Sequence, residues 1–264
     1  MAFYGKGFMF NSIPGETYGL YLTNFDTGMI NSPAGSDIEI FEVTPYRRSK
    51  PYYLGVQQTP ILEFPVVFTT PEFLDGPTRS AAKRWLFGST QQKAFQVMEC
   101  DISDVVFTGH LVNAQDIYAG NLCRGFSATM RCNAPWGFTF PQTTTKNYTS
   151  GGIESETFNL YNSSDDSDYL YPSMTFTMNG IGTSFTLVNN TDASRSFAFT
   201  DISALEVMTV DNDRQIVSSS TGLTRLGKFN KNWLRLLPGN NSLTLTGGIT
   251  QLTLTYSFAR KVGG

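Results

Sequence analysis

The side chains of this chain that could carry out chemistry are few: one histidine and three cysteines. Because His110 is the only histidine, a zinc site with two or three histidine ligands is excluded within one chain. A site of His110 with Cys100, Cys123 and Cys132 remains formally possible. No Cys-x-x-Cys pair is present, however, and we interpret the three thiols as small, buried and free. We interpret His110 itself as a half-exposed residue within a strand.

Three aspartates close together form the best candidate for a metal site. Asp165, Asp166 and Asp168 could suit calcium, because this cation takes roughly six to eight oxygen ligands. The EF-hand pattern also needs a glycine and a distant glutamate, which are missing here, and the preceding residues 162–164 favour a solvated loop. The facing carboxylates of a glycosidase are distant in sequence, so the sequence neither shows nor excludes such a pair.

Sequence motifs for catalysis are missing as well. The chain has no Gly-x-Ser-x-Gly elbow, no Walker loop and no Gly-x-Gly-x-x-Gly fingerprint. We therefore predict no catalytic residues, no cofactor and no metal, and we expect a structural or binding protein, not an enzyme.

Basic residues are concentrated in two segments. The run at residues 47–50 is shorter than the ~5–8 basic residues typical of a nucleic-acid patch. Residues 225–237 place four basic residues around Phe229 and Trp233, but the leucines that continue this segment favour a core strand with a polar rim over a stacking surface. Since the net charge is −3, we predict no sequence-specific nucleic-acid binding.

Length and composition indicate a globular chain with one large domain or two ordinary ones. Of its 264 residues, 40% are apolar and only 16% are charged, which is too little charge for a disordered chain. The longest apolar run, Met1–Tyr4, has four residues. A membrane helix needs ~20 and a signal peptide at least ~7, so we expect neither membrane insertion nor secretion.

The composition predicts mainly strands in the first half of the chain, because aromatic residues are abundant and helix formers are sparse. Turn residues then divide it into predicted strands at 8–10, 18–24, 37–43, 61–68, 94–99, 105–117 and 122–132. The last two are long and form a hairpin, which is a natural arm for contacts with neighbouring subunits.

One amphipathic helix is predicted at Thr78–Phe87. Asp75 or Gly76 can cap its start, and Gly88 suits the left-handed position that often follows a helix. Apolar residues recur on one helix face at intervals of three or four. Trp85 belongs to that face, so we expect it to pack into the core of the first domain.

The second half shows strict alternation. Apolar residues alternate mostly with threonine over 174–178, 243–246 and 252–259, so each strand has one buried and one wet face. Several such strands at short spacing indicate an antiparallel sandwich or jelly roll.

Between the halves, Pro141–Glu156 consists mostly of small polar residues and glycine. Such a composition buries little surface and is typical of a linker. We therefore expect two domains, residues 1–140 and 157–264, which each fold alone on either side of a linker at 141–156.

Several segments resemble the distal tail protein (Dit) family of long-tailed bacteriophages, and they occur in family order across nearly the whole chain. The first half carries an aromatic opening, the end of the helix and an aromatic close: Phe3-Tyr4-Gly5-Lys6-Gly7-Phe8-Met9-Phe10-Asn11, Tyr18-Gly19-Leu20-Tyr21, Arg84-Trp85-Leu86-Phe87 and Cys132-Asn133-Ala134-Pro135-Trp136. The second half carries Phe229-Asn230, Trp233-Leu234 and Leu237-Pro238-Gly239-Asn240-Asn241.

The resemblance implies a mainly β fold, with an N-terminal belt domain, a β-barrel-like sandwich with one helix, and a C-terminal galectin-like or jelly-roll sandwich. It also implies a hexameric hub ring that joins the tail tube protein to the tail-associated hub or lysin protein and lets DNA pass. The outer domains of such rings often hold receptor-binding proteins. The expected location is the virion tail tip, after assembly in the cytoplasm of the host bacterium.

Two other functions stay open at this point. A carbohydrate-binding protein of two sandwiches would use its second domain, with Tyr169 and Tyr171 as an exposed aromatic platform beside the loop Asp165–Asp168. A glycoside hydrolase of jelly-roll type is the third reading.

Overall fold

The structure, a computed structural model, describes residues 7–23, 38–47, 49–58, 61–98, 103–148 and 153–261. The chain divides into two compact units, Met1–Thr139 with Arg260–Gly264, and Phe140–Ala259. Cys100, one of the three thiols considered above, lies outside the described residues. Within the described ranges, no helix is long and apolar enough to cross a membrane.

Antiparallel strands build the first unit. They are, in chain order, β1 (Phe8–Phe10), β2 (Ile13–Pro14), β3 (Tyr21–Leu22), β4 (Ile38–Val43), β5 (Tyr52–Gln58), β6 (Glu63–Thr69), β7 (Lys93–Val97), β8 (Val105–Ala119), β9 (Leu122–Cys132) and β10 (Gly137–Thr139). Most of them belong to one sheet in the order β2-β1-β7-β8-β9-β6-β3, while β4 and β5 form a separate two-stranded sheet. The large sheet encloses a core rich in phenylalanine, in which the Phe8 ring lies 4.7 Å from that of Phe68.

The strand predicted at 18–24 is shorter in the structure. A 3-10 helix, Gly15–Tyr18, occupies its beginning, and only Tyr21–Leu22 pairs as a strand. Gly19 causes the difference, because its φ of 66° places it in the left-handed region, where it ends the 3-10 helix and turns the chain. The end of the predicted strand, Asn24, lies outside the described residues.

The helix α1 (Gly76–Phe87) forms where the sequence predicts it. The Asp75 carboxylate accepts a hydrogen bond from the backbone N–H of Thr78 at 2.9 Å and so caps the helix. Gly88 is not left-handed as predicted, since its φ is −83°. The glycine is required for space instead, because a Cβ there would lie 2.5 Å from the carbonyl oxygen of Arg84.

The second unit is a sandwich of two antiparallel sheets. Its strands are β11 (Gln142–Asn147), β12 (Ile153–Asn162), β13 (Ser173–Met178), β14 (Phe185–Asn189), β15 (Arg195–Phe199), β16 (Val207–Asp211), β17 (Ile216–Ser219), β18 (Gly239–Gly247) and β19 (Ile249–Tyr256). One sheet has the order β11-β19-β13-β16-β17 and the other β12-β18-β14-β15. The alternating apolar residues meet between the sheets, where the rings of Phe176 and Phe185 stack with centroids 4.3 Å apart. The prediction of a mainly β protein with one helix and a C-terminal sandwich is confirmed.

The predicted linker 141–156 is wrong, because most of its described residues lie in strands. Strand β11 pairs with β19 along its whole length, and β12 begins at Ile153. Lys146 and Tyr148 both donate hydrogen bonds to the Glu156 carboxylate, at 2.9 and 2.5 Å. An edge strand such as β11 needs few apolar side chains, because the hydrogen bonds to its neighbouring strand already pair its backbone N–H and C=O groups. Composition therefore suggested a linker where the chain forms a strand.

The end of the chain also differs from the predicted domain boundary. Strand β20 (Ala259–Arg260) pairs with β10, and the Lys261 ammonium lies 5.4 Å from the centroid of the Trp136 ring. Residues Arg260 and Lys261, expected in the second domain, therefore group with the first unit.

These boundaries predict how fragments of the second unit behave. A fragment of residues 140–259 keeps every strand of the sandwich and should unfold in one cooperative transition. A fragment of residues 150–259 lacks β11 and leaves the edge of β19 uncovered. We expect it to lose about 1–3 kcal/mol of unfolding free energy, because six cross-strand pairs contribute a few tenths of a kcal/mol each or more. Urea denaturation of both fragments measures the difference, and equal midpoints would contradict it.

Candidate assembly surfaces

A hairpin without a core stands apart from the main sheet of the first unit. Among the described residues, β4 and β5 pair only with each other, with Ile40 opposite Val56 and Val43 opposite Tyr52. No side chain of the hairpin whose burial is described is buried. We name residues 38–58 the β4–β5 arm. Isolated two-stranded hairpins are marginally stable in water at best, so the pairing of β4 with β5 contributes little stability by itself.

Both faces of the β4–β5 arm are apolar. Residues directly opposite in an antiparallel pair point to the same face, and a register shift between Phe41 and Glu42 adds one residue to β5. The eight large apolar side chains of the arm are between 41% and 88% exposed: Ile40, Phe41, Val43, Tyr46, Tyr52, Tyr53, Leu54 and Val56. Contiguous exposed apolar patches of this kind mark interaction sites.

A strand is predicted from the sequence at 37–43, close to β4, but none is predicted at β5, so the arm as a whole was not expected. The missed signal is the apolar run Tyr52-Tyr53-Leu54, followed by Val56, which puts apolar side chains on both faces of a strand. A strand that lies on a core alternates instead.

The hairpin of β8 and β9, expected to be an arm, belongs mostly to the core. The base of β8 buries alternate residues such as Phe107 and Leu111, and only the tip, residues 113–122, contains no buried side chain. His110, on the same strand, is half-buried and lies opposite Arg131. This matches the interpretation of the histidine as a strand residue.

Ion pairs fasten the tip of this hairpin to α1. The Asp116 carboxylate accepts hydrogen bonds from Arg79 at 2.5 Å and from Lys83 at 2.8 Å. Burial disfavours the charged form of Asp116, but the two cations outweigh it, so the pKa of this carboxyl lies below its usual value. The Arg79 guanidinium also lies 5.5 Å from the centre of the Tyr118 ring. The tip is therefore held on its own unit.

Tyr169 and Tyr171 do not form a flat platform in the second unit. Their rings are 6.5 Å apart and 70° out of parallel. The Arg235 guanidinium lies 4.0 Å from the centre of the Tyr169 ring, and it is bound to Asp192 at 2.7 and 3.0 Å. A protein cation thus covers one face of Tyr169.

Three of the four basic residues around Phe229 and Trp233 are paired within the protein. Arg225 binds Glu206, Lys228 binds Asp201, and Arg235 binds Asp192. Phe229 is buried, as the prediction of a core segment with a polar rim requires. The segment is irregular and not the strand predicted, with a 3-10 turn at Leu226–Lys228 and isolated bridges.

Glu206 is the most strongly held of these carboxylates. It is 2% exposed and accepts hydrogen bonds from the Arg225 guanidinium at 2.6 and 2.8 Å and from the backbone N–H of Ser203 at 3.0 Å. The bonds from Arg225 dominate over burial and lower the pKa of Glu206 to about 2.

Among the described residues, the structure does not bring the thiols and aspartates considered above together as a metal site. Cys123 and Cys132 are buried and free, and burial raises the pKa of Cys132 to about 12. In the described part of the chain, no group of three or more histidine, cysteine, aspartate and glutamate residues could hold a metal ion.

Comparison with known proteins found matches to both units. Residues 3–134 match the family model described as a phage tail protein N-terminal domain, and residues 136–256 match the one described as a phage tail C-terminal domain. A comparison with curated protein sequences found no match.

Solved structures with a similar fold come from phage tails. The crystal structure of Dit from phage SPP1, described as a paradigm of the hub adsorption apparatus in phages that infect Gram-positive bacteria, is 12% identical with a TM-score of 0.69. The alignment covers 96% of this chain and 98% of that one. A chain of the phage p2 baseplate in its activated conformation with strontium is 8% identical and has a TM-score of 0.57. That alignment covers 98% of this chain and 99% of the baseplate chain.

The structural likeness confirms the Dit-like fold that the sequence suggested. The two family models together span nearly the whole chain. The chain therefore belongs to the family of phage tail proteins that these two domains define.

Proposed function

We propose that the chain is the distal hub of a phage tail. Six copies form a closed ring through their first units, and the ring joins the last ring of the tail tube to the tail-associated hub or lysin protein. The observation that carries this proposal is the likeness to the SPP1 Dit protein, which extends over both units and over 98% of that chain.

The role is structural and not catalytic. Buried thiols, paired cations and exposed apolar strands suit a protein that holds other proteins together. The second units lie outside the ring and hold receptor-binding proteins, and the whole is assembled at the tail tip in the host cytoplasm.

DNA passes through the centre of the ring in this proposal. With −3 per chain, six copies carry a net charge of about −18. A protein of negative net charge does not hold the phosphate backbone by counterion release as a basic protein does, which supports the passage of DNA over its retention.

The oligomeric state of the full chain tests the proposal. A ring of six has a mass of about 175 kDa, six times the 29.2 kDa of one chain. We expect multi-angle light scattering to give this mass, approached with rising concentration. A monomer at every concentration would contradict the ring and favour the carbohydrate-binding alternative.

A further inference from the structure

We propose that the outer face of strands β12, β18 and β14 binds a neutral saccharide, with the Tyr161 ring as the platform on which a sugar ring rests. The site lies in the second unit alone and does not depend on the proposed ring of six copies. Three observations carry it: the face has no charged side chain, its tyrosine is exposed without a partner, and two amides beside the tyrosine are unpaired.

Strand alternation defines this outer face. Phe158 and Leu160 of β12 are buried between the two sheets, so the residues that alternate with them point outward. From residue 157 onwards, the outward side chains of β12, β18 and β14 are threonine, serine, asparagine, one valine and Tyr161. None of them is charged. We name these positions, together with Asn190 directly after β14, the β12–β18–β14 face.

Tyr161 is the aromatic residue of the β12–β18–β14 face. It is 64% exposed, and within the described part of the chain its side chain has no hydrogen bond, ring contact or cation contact. Tyr169 differs, because the Arg235 guanidinium covers one face of its ring. An exposed tyrosine offers a flat apolar ring and a hydroxyl group. A sugar ring has the matching shape, since its C–H groups form an apolar face with hydroxyl groups around it.

Two asparagines flank the tyrosine. Asn240 lies directly opposite Tyr161, and Asn159 lies two residues along β12, opposite Ser242. Directly opposite residues have Cβ atoms about 4.5–5.5 Å apart. Both asparagines are exposed, and neither side-chain amide has a hydrogen-bond partner among the described residues. Each amide carries two donor hydrogens and an acceptor oxygen, so it can bind two neighbouring sugar hydroxyls, one as donor and one as acceptor.

Hydrogen bonds within the face hold the adjoining hydroxyls in place. The Asn190 amide donates to the hydroxyls of Ser242, at 3.3 Å, and Thr244, at 2.8 Å. The hydroxyls of Thr244 and Thr157 lie 2.9 Å apart. These bonds connect all three strands. Because the polar groups are already ordered on strands, a ligand that binds them loses little conformational entropy of the protein.

The absence of charge decides the class of ligand. A phosphate or an acidic polymer would require cations on the face. A protein partner would require an apolar centre, and the half-buried Val188 is the only aliphatic side chain among the outward positions of the three strands. Amides, hydroxyls and a single exposed ring are instead the partners that a neutral saccharide needs.

Saturation-transfer difference NMR on the full chain tests the site with three neutral probes: maltohexaose, cellohexaose and N-acetylchitohexaose. We expect at least one to bind with a Kd on the order of 1 mM, because an open face covers only one side of the ligand. Hexagalacturonate, which is acidic, should give no signal. Tyr161→Ala should weaken binding by at least about tenfold, and Tyr161→Phe should stay within about threefold of the wild type, because it keeps the ring.

A second tyrosine of the same unit supplies the matched control. Tyr171 is 37% exposed, and Tyr171→Ala should bind like the wild type. Urea midpoints equal to that of the wild type establish that each variant is folded.

The outcomes separate the saccharide site from the ring. No signal from any neutral probe at roughly ten times the expected Kd, or a signal from hexagalacturonate alone, would overturn the saccharide as ligand. Equal weakening by Tyr161→Ala and Tyr171→Ala would overturn the position of the site on β12. Binding that depends on Tyr161 in a chain that stays monomeric would support the site while contradicting the ring.

Discussion

Replacing Glu206 with glutamine is expected to lower the unfolding free energy at pH 7 by about 3 kcal/mol. The substitution keeps the size of the side chain and removes its charge, which leaves the Arg225 guanidinium, 11% exposed, without its anion. Removing one partner of a buried ion pair typically costs about 3–5 kcal/mol. Urea denaturation followed by tryptophan fluorescence measures the change.

The same pair predicts a pH dependence with a defined sign. The folded-state pKa of Glu206, about 2, lies below its usual value of 4.5, so the unfolded chain takes up the proton first. The stabilisation is fully present above pH ~4.5 and is lost as the pH falls towards ~2. The difference between the wild type and Glu206→Gln should therefore shrink as the pH falls through this window.

A control variant shows whether the loss of unfolding free energy is specific to the buried Glu206 or follows from removing any paired carboxylate. Asp201 pairs with Lys228, but its side chain is 73% exposed, and exposed pairs contribute little. Asp201→Asn should leave the urea midpoint at pH 7 nearly unchanged. If Glu206→Gln behaved in the same way, the pair would not stabilise the second unit.

Replacing Trp85 with alanine should destabilise the first unit by about 3 kcal/mol, near the lower end of the range for large aromatic residues. Trp85 is half-buried, its ring stacks on that of Tyr18 at 4.8 Å, and its indole N–H donates to the carbonyl oxygen of Phe10 at 3.1 Å. The variant loses both the packing and the hydrogen bond that join α1 to β1. Guanidinium denaturation measures the loss.

Two further variants serve as controls for Trp85→Ala. Trp85→Phe keeps most of the ring and loses the hydrogen bond, so it should cost about 1–2 kcal/mol. Arg84→Ala, on the exposed side of the same helix, should change the midpoint little. An unchanged midpoint for Trp85→Ala would show that the helix does not depend on this contact and would make Trp85 a candidate for an interface.

Local signals predicted the parts of the fold that depend on neighbouring residues. The cap at Asp75 lies three residues from the Thr78 N–H that it binds, and the alternation of Met174, Phe176 and Met178 follows directly from strand geometry. The hairpin of β8 and β9 is joined by a tight turn in which Gly120 has a φ of 62°. Each of these features can be recognised within a short window of sequence.

The remaining features depend on residues that are far apart. Arg235 meets Asp192 across 43 positions, and β11 meets β19 across more than 100. A short window of sequence also cannot show that β4 and β5 form a separate sheet, because this depends on which strands join the large sheet. No motif marks the assembly surfaces, since a docking surface needs exposed apolar area and not a fixed spacing of residue types.

Cryo-electron microscopy of phage particles that carry this chain would show directly whether it forms the hub ring at the tail tip. We expect six copies in one ring at the end of the tail tube, with first units around the opening and second units outside. Density for the chain elsewhere in the particle, or a ring closed by the second units, would contradict it.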